Sequence, residues 1–158
     1  MKQLWAPWRM QYLEAPAPEG CFFCAALASS DDAGHLVVAR DATSVIMLNK
    51  YPYANGHLLV APRQHVARLE DLADPEYDAL MRSVRRAGVA LREAFAPEGM
   101  NLGMNLGRAA GAGVADHCHW HLVPRWNGDT NFMPLVGEVK VLSEHLQTTW
   151  QRLRPRFA

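Results

Sequence analysis

His117-Cys118-His119-Trp120-His121-Leu122-Val123-Pro124-Arg125-Trp126 is the stretch on which the fold turns. Successive side chains of an extended strand point to opposite faces, so the three histidines share one face while Cys118, Trp120 and Leu122 take the other. The alternation predicts a strand over 117–123 with one face for chemistry and one for a core. Working outward, short apolar runs bounded by turn residues predict strands at 35–39, 44–48, 57–60 and 100–106, with Asn55-Gly56 turning into the third. Asp74-Pro75 reads as an N-cap followed by proline at the first helical position. From there Tyr77, Leu80, Met81, Val84 and Leu91 recur at helical spacing up to Phe95, and Pro97 and Gly99 end the helix. Ser143 begins a C-terminal helix with Leu146, Trp150 and Leu153 on one face. Runs of strands with one central helix, and no βαβ alternation, predict an α+β fold with an antiparallel sheet.

The 158 residues, 49% of them hydrophobic, suit a single domain. Sixteen basic residues balance sixteen acidic ones, so no global field draws the chain to nucleic acid or to an anionic membrane, and an anionic ligand must be held locally. Runs such as Leu58-Leu59-Val60-Ala61 fall far short of the ~20 apolar residues that span a bilayer. The opening Met1-Lys2-Gln3-Leu4-Trp5-Ala6-Pro7-Trp8-Arg9 lacks the apolar stretch of a secretory signal, so the expected compartment is the cytoplasm. Three cysteines, two of them in Cys21-Phe22-Phe23-Cys24, argue against a disulfide framework.

Imidazoles ~6.5–7 Å apart along one strand face repel one another once protonated, which makes a purely structural role a poor use of three. A single ion held by all three is disfavoured: positions i and i+2 can share it, but i+4 lies too far for bonds of ~2 Å. The remaining chemistry is covalent, with an imidazole attacking phosphorus and forming a phosphoramidate. It needs a neutral ring with one nitrogen free and the other hydrogen-bonded, and the middle histidine is placed for it.

The run resembles the His-φ-His-φ-His-φ-φ signature of the histidine triad (HIT) superfamily of nucleotidyl hydrolases and transferases. The resemblance extends to Asn49 and the hairpin His57-Leu58-Leu59-Val60-Ala61-Pro62-Arg63-Gln64-His65-Val66, to Asn105-Leu106-Gly107, and to Gly111-Ala112-Gly113-Val114. The flanks, Leu4 to Arg9 and Pro124 to Pro134, are similar to the bacterial diadenosine-tetraphosphate phosphorylase branch. The resemblance implies a sheet of about five antiparallel strands with one long helix and a C-terminal helix, and a homodimer or larger homo-oligomer. It implies His119 as nucleophile, His121 as the group assisting departure, and His57 as a supporting fourth histidine. Asn49 would bind ribose, Asn105 the phosphate or leaving group, and the loop at Gly111 and Gly113 the phosphates, with charge from Arg108 and Arg125. Many relatives carry Ser or Thr where this chain has Gly113, so only backbone N–H groups are available there. The implied substrates are a dinucleoside polyphosphate and inorganic phosphate. Hydrolysis by water, a vestigial triad and a metal-dependent hydrolase stay open as alternatives.

Cys21-x-x-Cys24 has zinc-ligand spacing, but two thiolates make half a tetrahedral site. The resemblance supplies His65 and His117 as the missing pair, giving a filled and therefore structural zinc site. A redox pair or a metal-free buried pair are the other readings, though no thioredoxin-like βαβ pattern follows. Cys118 belongs to the core face, and His35 and His145 to the surface.

Overall fold

Strands β2 (Ser44–Leu48) and β3 (Leu58–Pro62) are buried at every position, the mark of a sheet covered on both faces. They pair antiparallel, Val45 with Ala61 and Met47 with Leu59. The structure, a computed structural model, describes residues 20–129 and 144–158. Its sheet is completed by β1 (Val37–Arg40), β4 (Gly99–Gly103) and β5 (Trp120–Arg125) in the order β1-β2-β3-β5-β4, with every pairing antiparallel. Between β3 and β4 runs α2 (Asp74–Phe95), preceded in the chain by α1 (Phe22–Ala28) and followed at its end by α3 (Leu146–Leu153). This is the α+β architecture expected from the sequence.

The ladder divides the side chains. Met47, Leu59, His121 and Gly103 are successive cross-strand partners and so form one row on one face. Leu48, Leu58, Leu122 and Leu102 form the matching row on the other. The leucine face packs under α2 and α3 as the larger core, with Ile46, Val60, Leu80 and Leu91 fully buried. The opposite face carries a smaller cluster in which Phe23 and Ala26 of α1 cover Val45, Met47 and Leu59. At the outer strand β1 the register slips between Val37 and Ala39. The carbonyls there are taken from α3's end of the chain: Trp150 Nε1 donates to Val37 at 2.7 Å and Arg154 to Val38 at 3.1 Å.

Several expected boundaries shift for identifiable reasons. The strand expected over 117–123 begins only at Trp120. Upstream of it Cys118 N–H donates to Val66 O at 2.7 Å, a partner beyond the end of β3, so the segment stays bonded without joining the ladder. Downstream it continues through Pro124, where β4 alone flanks it, a position that tolerates a missing donor. Asp74 is the first helical residue and not the cap. Ala73 caps with its backbone, and Glu76 accepts from Ala73 N–H at 3.4 Å. Tyr77, expected on the buried face, is 39% exposed, while Ala87, Ala90 and Ala94 are buried. Those small side chains let α2 lie close to the sheet. Leu4 to Arg9, Thr130 to Pro134 and the expected start of the last helix at Ser143 lie outside the described residues.

Candidate functional site

β5 delivers His121 into the row between Leu59 and Gly103. Gly103 adds no side chain, and a Cβ built on it meets only open space, so the His121 side of the row is clear. His57, fully buried just before β3, places Nε2 at 2.9 Å from His121 Nδ1. The protons on this pair follow from the backbone. Tyr53 N–H can only donate, and it points at His57 Nδ1 at 3.0 Å, so that nitrogen carries a lone pair and the ring's proton sits on Nε2. His57 Nε2–H then donates to His121 Nδ1, which leaves the neutral His121 ring with its proton on Nε2.

His119 is fixed the other way round. Its Nδ1 lies 2.9 Å from the carbonyl oxygen of His117, so Nδ1–H donates and Nε2 presents a lone pair. Its ring, 4% exposed, sits 4.9 Å from those of Phe23 and His121. Burial pushes its pKa down, opposed by the hydrogen bond to His117. Burial, reinforced by the charge His119 would carry, pushes His121 down to about 4. Near neutral pH the site therefore offers a buried lone pair beside an imidazole N–H donor, which is the equipment for nucleophilic attack with hydrogen-bond donation to a leaving group.

Below the triad the structure gathers Cys21, Cys24, His65 and His117, whose ligand atoms all lie within 4.8 Å of one another. Cys21 Sγ is 3.2 Å and Cys24 Sγ 3.8 Å from His117 Nδ1, and Cys24 Sγ is 3.3 Å from His65 Nδ1. Zinc bonds of about 2.3 Å to sulfur and 2.0 Å to nitrogen, meeting tetrahedrally, put S and N about 3.5 Å apart, which these three sulfur–nitrogen separations bracket. His117 also has the required tautomer: Nε2–H donates to Pro62 O at 2.9 Å, leaving the Nδ1 lone pair aimed at the thiols. The donor set fits zinc. Cys118 stands apart, buried, with its thiol pushed up to about 11 by burial.

The remaining expected residues are distributed unevenly. Asn49 stands beside His57, its Nδ2 3.3 Å from His57 Nδ1 and its Oδ1 accepting from Tyr51 N–H at 2.9 Å. Asn105 is half-buried at the mouth of the loop. In that loop Gly107 and Gly111 adopt φ of +78° and +86°, bracketing a single 3-10 turn that carries Arg108 on the outside. Val114 anchors the loop on the α1 cluster, the histidine face of the sheet, with exposed Gly113 just before it. Arg125 is not brought to the triad. It lies four residues, ~13 Å, along β5 from His121 and is forked onto Asp129 at 2.6 and 2.8 Å, with Asn101 at 3.1 Å. Two participants were not singled out from the sequence. Phe23 sits inside the CxxC and packs on both His117 and His119. Tyr53, four residues before His57 in a tight turn, orients His57.

Residues 31–128 match the HIT domain family. The chain is 41% identical to a Mycobacterium tuberculosis protein named AP-4-A phosphorylase, over 100% of this chain and 85% of that one. It is 35% identical to a Schizosaccharomyces pombe bis(5'-nucleosyl)-tetraphosphatase [asymmetrical], over 65% of this chain and 56% of that one. Among solved structures, a Zn-bound histidine triad family protein from Mycobacterium smegmatis aligns with TM-score 0.68 and 26% identity, covering 87% of this chain and 92% of its own.

Proposed function

The chain belongs to the HIT domain family, and on that premise we propose that it is a nucleotidyl transferase that splits dinucleoside polyphosphates, with diadenosine tetraphosphate as substrate and inorganic phosphate as acceptor. The observation that carries the reading is the opposed tautomers of His119 and His121, one offering a lone pair and the other an N–H donor. His119 Nε2 attacks the α-phosphorus. The N–P bond forms as the P–O bond to the next phosphate breaks, the bonding electrons leave with the nucleotide oxygen, and the neutral His121 donates a hydrogen bond from Nε2–H to that oxygen. The His117 carbonyl, accepting from His119 Nδ1–H, stabilises the ring as it becomes cationic. Inorganic phosphate then attacks the same phosphorus, the N–P bond breaks with its electrons returning to His119 Nε2, and ADP leaves with His119 restored. Asn49 and Asn105 are assigned to the ribose and the phosphates, with Arg108 and the backbone N–H groups around Gly111 and Gly113 as the anion cradle. Arg125, engaged by Asp129, has a structural part in this reading.

The name of the M. tuberculosis relative supports phosphate as the acceptor. Incubation with diadenosine tetraphosphate and phosphate should yield ATP and ADP. AMP in place of ADP would overturn the phosphorylase assignment in favour of hydrolysis, the reading that the S. pombe relative's name supports.

Zinc is proposed as the occupant of the cluster of Cys21, Cys24, His65 and His117. Bound there it supplies a filled four-coordinate cross-link between α1 and the segment entering β5. The thiols required for it suit a reducing compartment, which supports the cytoplasm. A homodimer is proposed across β4, the terminal strand of the described sheet, whose Leu102 is 51% exposed. A solution mass of one chain would remove that part of the reading.

A further inference from the structure

Tyr53 touches the leaving-group side of the site twice. Its main-chain N–H donates to His57 Nδ1 at 3.0 Å. Its ring lies 4.8 Å from the His57 ring at 35° and 6.0 Å from the His121 ring, nearly parallel at 18°. The turn that carries it is closed on itself: Asn49 N–H donates to His57 O at 2.9 Å and His57 N–H to Ala54 O at 3.2 Å, with Gly56 at φ +77°. Tyr53 is thus held over the two imidazoles by its own loop, although the residue is 55% exposed.

We propose that Tyr53 is a positioning residue for the hydrogen bond to the leaving group: its amide keeps the His57 proton on Nε2, and its ring caps the His57–His121 pair, so that His121 keeps one tautomer with Nε2–H toward the departing nucleotide. The proposal rests on the leaving-group role assigned to His121 above. Neither Tyr53 nor His121 gives up a proton: the P–O bond breaks with its electrons on the departing oxygen, and His121 Nε2–H hydrogen-bonds the charge that develops there. What the ring does is exclude water from the His57–His121 hydrogen bond. A water accepting from His121 Nδ1–H would stabilise the other tautomer, whose Nε2 has nothing to donate. His119, His57 and Tyr53 are the described groups around His121 in ring or hydrogen-bond contact.

The test uses AMP esters of phenols of graded acidity, all of which give the same AMP adduct on His119 and differ only in how much their leaving oxygen depends on a hydrogen-bond donor to carry its charge. Phenol release in a single turnover should depend weakly on phenol acidity in the wild type and in Tyr53→Phe, and more steeply in Tyr53→Ala. The alanine variant should lose roughly tenfold on the least acidic phenol, a fraction of the 10²–10³ that one positioned hydrogen-bond donor supplies, and almost nothing on the most acidic. Tyr53→Leu replaces it if the alanine variant is not folded. Nitrogen-15 spectra of labelled histidines should show one His121 tautomer in the wild type and Tyr53→Phe, and a mixture in Tyr53→Ala. A loss equal across all phenols, or none, overturns the proposal. His121→Ala separates the two levels. If it steepens the dependence and Tyr53→Ala does not, Tyr53 alone is misassigned; if it leaves the dependence unchanged, the leaving-group role of His121 falls and the proposal with it.

Discussion

At the scale of single residues the site is decided by where three protons sit. None of those positions could be read from residue type. His119 is set apart from its two neighbours in the triad by what its Nδ1 meets, the carbonyl of His117 two residues back. Removing that ring should leave the pocket walls but no bond-forming nitrogen. His119→Ala is expected to reduce turnover by more than 10³-fold while AMP still binds, since nucleophile loss in comparable enzymes is of roughly that size or larger. A quench that spares phosphoramidates should trap AMP on the wild type and not on the variant, as read by mass spectrometry. The alternation of the triad was legible because a period of two survives any fold that keeps the segment extended. The tautomers were not, because Tyr53 N–H reaches His57 only after the 49–57 turn has closed.

Among the elements, the strands and the long helix were readable because their patterns are local, whereas α1 was not. Its seven residues have no side-chain cap, and it is held by burying Phe23 and Ala26 against the sheet. The metal cluster is its other anchor. Elemental analysis should find about one zinc per chain, and chelation should lower the melting temperature and speed amide exchange in α1 first, because an unfolded chain cannot organise four ligands. Cys24→Ser should reproduce this without chelator; unchanged exchange in α1 would show that packing alone holds it. α2 makes the opposite case. Its buried face is built from Leu80, Leu91 and alanines, and the reading by large apolar residues wrongly included Tyr77 because Tyr77 lies at the helix start, where the stripe has not yet turned under the sheet. Leu91→Ala, fully buried beneath Gly56, should cost about 2–5 kcal/mol in denaturant unfolding.

For the whole molecule, the neutral imidazoles tie stability to pH. His121 titrates near 4 in the fold against an ordinary 6.5, and His119 is shifted in the same direction. Above pH 6.5 both folded and unfolded forms are neutral and the effect vanishes. As pH falls from there towards 4 the unfolded chain binds a proton that the fold refuses, so stability drops, by up to about 1.4 kcal/mol per pH unit for His121 alone. Denaturation curves at pH 7, 6 and 5 should show it, and His121→Asn should flatten the dependence by up to one proton. The slip in β1 has a consequence of another kind. With Val37 and Val38 capped by Trp150 and Arg154, the sheet formed by the described residues has one blunted end, at β1, and one other, at β4. A polymer of sheets needs two growing ends on every unit; in the homodimer proposed above the one at β4 would be spent on a single mate, so that growth would arrest at a pair and not run on to a fibre.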